Sequence, residues 1–263
     1  MTFTADSYWN TAIPGTVTRD TESDDFISWI AGHSTKNYLA LSTDAWSMPV
    51  YRSKASDPLR TINPTGTGPT VSVRIPTNAV PMTGNDAACL ILDTTTDQGV
   101  GLFEYDPPSS ASGVDRYYLS SEGIEERAGG TTGNRGHRGI PGPQSCIRSD
   151  HLSTTYIRTR LKIAIPGTAP WHVFPMINDE GDKGGVIGEG MILRIKPGVD
   201  VAARGLTGDA YKVAQGIKRY GVLVGDNGAQ PTLKQERGLG LPTDALSALS
   251  WSDYEWVERG WRP

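Results

Sequence analysis

Apolar residues along this chain recur mostly at every second position and in short runs. Val71, Val73 and Ile75 alternate with Ser72 and Arg74, as residues do in a strand half buried against a core, and Cys89 to Leu92 and Val100 to Tyr105 continue the series. The longest alternation spans Tyr156 to Ile165. Ile157, Leu161, Ile163 and Ile165 mark its apolar face, and Arg158, Arg160 and Lys162 a basic one. Trp171 to Met176 and Met191 to Ile195 read as further strands, and Val222-Leu223-Val224 as a strand closed by the turn Gly225-Asp226-Asn227-Gly228. Helical spacing is rarer. One helix opens at Ser23-Asp24-Asp25, with Phe26, Ile27 and Ile30 inward and Gly32 as its stop. A better-marked one runs from about Thr207 to Tyr220, with Ala210, Val213, Ala214 and Ile217 in register and Gly221 ending it. The tail beyond Leu241 holds two short helix candidates and three tryptophans, Trp251, Trp256 and Trp261, whose expected role is to dock onto the domain.

These elements predict a mostly β, mainly antiparallel fold, a β-sandwich or jelly-roll-like domain with one packed helix and short peripheral helices. Residues 1–263 form one domain, with 1–35 as an N-terminal segment carrying a short helix and 241–263 as the packed tail. The 31 glycines and 18 prolines, spread along the whole chain, fit many short elements joined by turns. The 25 Lys and Arg against 29 Asp and Glu leave no field that would gather nucleic acid or an anionic membrane, so neither is an expected partner. No apolar run reaches the roughly 18 residues that cross a bilayer, and the start lacks a basic and then apolar leader. The expected location is extracellular or in a virion, reached after removal of a leader or by release of a particle. Cys89, in an apolar run, and Cys146, in a loop, are expected to be independent thiols rather than a bridge.

Candidate chemistry narrows by elimination. No glycine-rich loop sits between a strand and a helix to cradle phosphate, and no Gly-x-Ser-x-Gly frames a nucleophile. His33, His137, His151 and His172 share no metal-ligand spacing, so no metal and no cofactor are expected. Asp179-Glu180-Gly181-Asp182 reads as a solvated acidic loop, with a Ca²⁺ site as the alternative. The long aperiodic stretch from Gly129 to Ser149 is where a site is expected, and a polar concentration begins within it and continues beyond: His137, Arg138, Arg148, Asp150, His151, then Trp171 and His172. Arg148 and Asp150, two apart at the foot of a strand, share one face of it. They either line a cleft or pair with each other and pin the loop. In the cleft reading these side chains bind glycan, Trp171 supplies a stacking face, and Arg148→Ala removes binding with Tm nearly unchanged. Asp150, Glu189 and Asp226 are the carboxylates for a catalytic pair. Against that role, Asp226 fits ordinary turn chemistry and Glu189 a surface charge.

Ile147-Arg148-Ser149-Asp150-His151-Leu152 leading to Ile157 and Leu161, then Gly190 to Lys196, then Tyr220 to Gly228, resembles a group of secreted actinobacterial β-sandwich proteins found near carbohydrate-active enzymes. The likeness covers Leu90 to Gly228. In that group an acid follows the position of Asp150 and a His stands two residues before that of Leu161; here these are His151 and Thr159. The resemblance therefore implies glycan handling with part of a catalytic set replaced. A leaderless chain of this kind looks like the minor tail proteins of phages that infect actinobacteria. Three functions follow as expectations: a glycan-engaging protein of the virion or cell exterior with polysaccharide as partner, a glycoside hydrolase or polysaccharide lyase using a carboxylate pair, and a structural tail or coat component contacting other virion proteins. A homo-oligomer is compatible with each.

Overall fold

The computed structural model describes residues 3–120 and 138–263. His137 and the first part of the long loop lie outside them. The chain is β-rich. In its first half run β1 (Ala40–Leu41), β2 (Val50–Arg52), β3 (Leu59–Ile62), β4 (Val71–Arg74), β5 (Cys89–Asp93), β6 (Gln98–Phe103) and β7 (Gly113–Tyr118). In its second half run β8 (Leu161–Ile165), β9 (Ile192–Ile195), β10 (Val222–Asn227), β11 (Thr232–Leu233) and β12 (Tyr254–Trp256). Among the described residues three helices accompany them: α1 (Ser23–His33), the single turn α2 (Ser149–Leu152), and α3 (Gly208–Tyr220).

The strands form a six-stranded sheet in the order β1-β11-β8-β10-β9-β12, a four-stranded sheet β2-β5-β6-β7, and the hairpin β3-β4. Most ladders are antiparallel, but β8–β10, β1–β11 and β2–β5 are parallel, so both larger sheets are mixed. One face of the six-stranded sheet is apolar. Leu161, Ile163 and Ile165 pack there with Leu193, Ile195, Val213 and Ile217, the last two from α3, which lies on that face because Val213, Ala214, Ile217 and Tyr220 share one side of it. A second cluster joins the hairpin to the smaller sheet through Ile62, Val71 and Val73 against Ile91, Val100 and Leu102. Cys89 and Cys146 are free and buried.

Four departures from the sequence pattern matter for the site. The strand expected from Tyr156 begins only at Leu161. Just before it, Arg160 N–H donates to the Trp9 carbonyl at 2.7 Å and the Arg160 guanidinium turns inward, so this stretch is tied to the N-terminal segment rather than to a ladder. The expected basic face is therefore interior at Arg160, and Lys162 is buried as well. Trp171 to Met176 makes a single bridge, His172 to Glu189, then turns at Phe174-Pro175; Pro170 and Pro175 bring no N–H to a ladder. Asp226 lies within β10, where a bulge at Gly225 carries the strand past the expected turn. The tail forms a 3₁₀ turn, Trp251–Asp253, and the edge strand β12 in place of two helices, and its three tryptophans are buried as expected.

Candidate functional site

Two hydrogen-bonded groups divide the polar residues. The first surrounds Arg148, which precedes α2 rather than lying on a strand. Its guanidinium is 1% exposed, donates Nε and Nη2 to Asp150 Oδ1 and Oδ2 at 2.9 Å each, and gives Nη1 to the Pro143 carbonyl. Arg52 reaches Asp150 from the other side, at 3.1 Å, while bonding Glu236 through both nitrogens at 2.7 and 3.0 Å; Glu236 also accepts Ser149 N–H. Arg52 lies on β2, so this network ties the smaller sheet to α2. Burial alone would raise the Asp150 carboxyl, but its bonds to Arg148 and Arg52 override this and hold it well below the usual carboxylate range. Such a carboxylate is a permanent acceptor, unsuited to donating a proton at neutral pH.

His151 N–H chemistry is fixed by the same network. Its Nδ1 accepts Arg148 N–H at 3.2 Å, and burial, then the Arg148 charge, push the imidazole well below its ordinary value, so it is neutral with its proton on Nε2. Beside it opens a recess of about 60 Å³ lined by Asn10, Gln144, Arg158 and Thr159 as well as the Arg148–Asp150 pair. That space suits water or one small group, well below the roughly 300 Å³ of a pocket enclosing a ligand.

The second group lies at the other face of the six-stranded sheet. Gly188-Glu189-Gly190 places its carboxylate. A Cβ at Gly188 would stand 2.0 Å from the Trp171 ring, and Gly190, at φ +90°, would carry one 2.1 Å from the Val173 carbonyl, so only glycines let Glu189 pass between these two. Val173 N–H donates to the Glu189 carbonyl at 2.9 Å and completes the clamp. Glu189 is 0% exposed and is no surface charge. Arg138 Nε stands 3.2 Å from its Oε2, an ion-pair contact without an aligned hydrogen bond. Arg138, in a left-handed backbone conformation at φ +50°, also pairs with Glu180, whose other oxygen takes the Asn227 amide. On the adjoining strands Lys162 Nζ donates to Asp226 Oδ2 at 2.8 Å. Desolvation pushes the Glu189 carboxyl up to about 7; Glu180 and Asp226 add to the rise and Arg138 opposes it.

The other candidate residues flank this group. His172 Nδ1 bonds Asp179 Oδ2 at 2.8 Å, and Asp179 also accepts Gly181 N–H. The acidic loop therefore spends Asp179 on His172 and Glu180 on Arg138. Trp171 packs its ring over Gly188, with the Arg259 guanidinium 5.4 Å from its centroid. So Arg138, Glu189 and Asp226 come together with His172 and Trp171 alongside, Arg148, Asp150 and His151 belong to the other group, and His137 lies outside the described residues. Sequence reasoning places Lys162 on a strand face, Glu180 in an acidic loop and Asn227 in a turn, and assigns none of them to this group. The available signal for the group is a lone acid between two glycines ahead of an apolar strand.

Asp115, on β7, has its carboxyl raised by burial to about 6, with Lys162 opposing the rise. Asp115 and Glu189 both hold protons more tightly in the folded chain than in the unfolded one, where values near 3.8 and 4.5 apply. The stability they contribute is complete below about pH 4 and lost as pH rises through about 6 and then about 7. Tm should accordingly fall by several degrees between pH 5 and pH 8, and the double variant Asp115→Asn, Glu189→Gln should flatten that slope in thermal melts.

No family model, curated protein or solved structure matches the chain. Among the described residues, no helix is long and apolar enough to cross a membrane.

Proposed function

We propose that this protein engages glycans at a cell surface or as part of a virion, and that the ligand sits at the group formed by Arg138, Glu180, Glu189, Asp226 and Asn227. The observation that carries the reading is the convergence of donors and acceptors around the buried Glu189: a guanidinium, an ammonium, an amide and three carboxylates, with Arg138, Glu180 and Asp226 each partly open to solvent. Sugar hydroxyls donate and accept at once, which such a mixed surface satisfies. Phosphate or nucleic acid would call for an excess of cations. The resemblance to secreted and tail proteins that handle glycans points the same way.

A second reading, cleavage by hydrolysis or elimination, is favoured by Glu189 in particular. A carboxyl titrating near neutrality near the lysine-paired Asp226 places two carboxyl groups in different surroundings, one buried and one bonded to an ammonium, the form of an acid and base pair. Asp150 is not part of that pair.

Incubation with actinobacterial wall polysaccharides, reading retention on the polymer and sugar released by mass spectrometry, separates these readings. Retention is expected, and Arg138→Lys, which keeps the charge beside Glu189 but not the fork, should weaken it about tenfold, the ~1.4 kcal/mol of a charge-assisted hydrogen bond. Release abolished by Glu189→Gln with retention intact would establish cleavage. Absence of both retention and release would overturn the glycan reading and leave a structural component of a particle.

A further inference from the structure

We infer that Trp46, Lys234 and Asp86 form a second sugar subsite, one that takes an uncharged pyranose ring at the far end of the same polar face; this rests on the glycan reading above. Trp46 is 39% exposed, the most exposed tryptophan among the described residues, and it ends the 3₁₀ turn Asp44–Trp46. Its ring lies against Gly84, whose N–H donates to the Ala45 carbonyl at 2.9 Å, so the indole is held in place from behind while two-fifths of it stays open. Met48 N–H donates to the Gln235 carbonyl at 2.7 Å, which carries this turn alongside Lys234. The Lys234 ammonium stands 5.7 Å from the Trp46 centroid and 3.4 Å from Asp86 Oδ2.

Continuity with the first group comes from strand register. β11 runs antiparallel to β8 with Leu233 opposite Ile163, so Lys234, one residue on, falls opposite Lys162, the partner of Asp226. The face therefore runs from Trp46 through Lys234 and Lys162 to Asp226 and Glu189. Burial, and then Lys162, lower the Lys234 ammonium, which Asp226 and Asp86 counter. Two cations already stand against two carboxylates here, so an added carboxylate would find no free charge to meet. A neutral ring suits the end: its C–H face lies on the indole, and its hydroxyls accept from Lys234 and donate to Asp86.

The test is titration of the full chain with neutral and with uronate-rich oligosaccharide fractions from wall polysaccharide, followed by tryptophan fluorescence and by affinity. The neutral fraction should change the fluorescence of the wild type and not that of Trp46→Phe. Trp46→Ala should lose about tenfold in affinity for it at unchanged Tm, and Trp46→Phe should recover most of that loss. Undiminished binding by Trp46→Ala, with Arg138→Lys impaired, would overturn the subsite and leave the glycan reading standing. Preference for the uronate-rich fraction at Trp46 would overturn the neutral assignment, and no binding of either fraction by the wild type would overturn both.

Discussion

Replacing Arg160 with methionine should cost about 3 to 5 kcal/mol, and lower Tm by roughly 6 to 20 °C. Arg160 is 0% exposed and faces no carboxylate among its described hydrogen bonds. Its charge is spread instead over three carbonyls: Tyr8 O at 2.6 Å, Tyr220 O at 2.8 Å and Thr11 O at 3.3 Å, with the guanidinium carbon 4.2 Å from the Tyr8 ring centroid and 5.1 Å from that of Trp261. Tyr220 ends α3, where the carbonyls at the negative end of the helix dipole favour a cation. One side chain thus joins the N-terminal segment, the end of α3 and the C-terminal tail. Methionine fills much of the space but leaves those carbonyls buried without a donor. Limited proteolysis should show the first segment, from Phe3 to Ile13, released before the rest. A Tm within 2 °C of wild type would show that water replaces the guanidinium without loss.

Arg148→Ala is the second large effect, about 3 kcal/mol and roughly 6 to 12 °C in Tm. The cleft reading of the sequence expects the opposite, loss of ligand without loss of stability, and the burial of Arg148 reverses it. Removing the guanidinium strips Asp150 of a two-pronged partner and the Pro143 carbonyl of its donor. Asp150 is 40% exposed, so water recovers part of its share, which keeps the figure below that of a fully buried pair. Circular-dichroism melts decide it. An unmoved Tm combined with lost polysaccharide retention would return Arg148 to a ligand-binding role.

Local patterns of apolar residues carry much of this fold. The alternation at Val71 to Ile75, the run at Cys89 to Leu92 and the helical spacing at Val213, Ala214 and Ile217 each reflect a single buried face, and β4, β5 and α3 form there. Period two cannot tell a solvated arginine from one satisfied by carbonyls 60 to 152 residues away in the chain, so Arg158, Arg160 and Lys162 look alike while Arg160 and Lys162 are interior. Asp226 looks like a turn residue because the bulge at Gly225 depends on pairing with β8, which no local pattern reveals. The same holds for the site. The glycines either side of Glu189 are a local signal of its constrained position, whereas the sequence pattern alone reads it as a carboxylate ahead of a strand or a surface charge; Arg138, Glu180 and Asn227 meet it only through long-range contacts, and Arg148 and Asp150, two residues apart, give the more visible motif and the structural role.

Hydrogen–deuterium exchange with and without oligosaccharides from a wall polysaccharide most directly tests where the ligand sits, because it needs no substitution. Protection on binding is expected in the segments carrying Arg138, Glu180 to Glu189, and Gly225 to Lys234, with the Arg148 to Arg158 recess unchanged. Protection confined to that recess, with none around Glu189, would contradict the assignment.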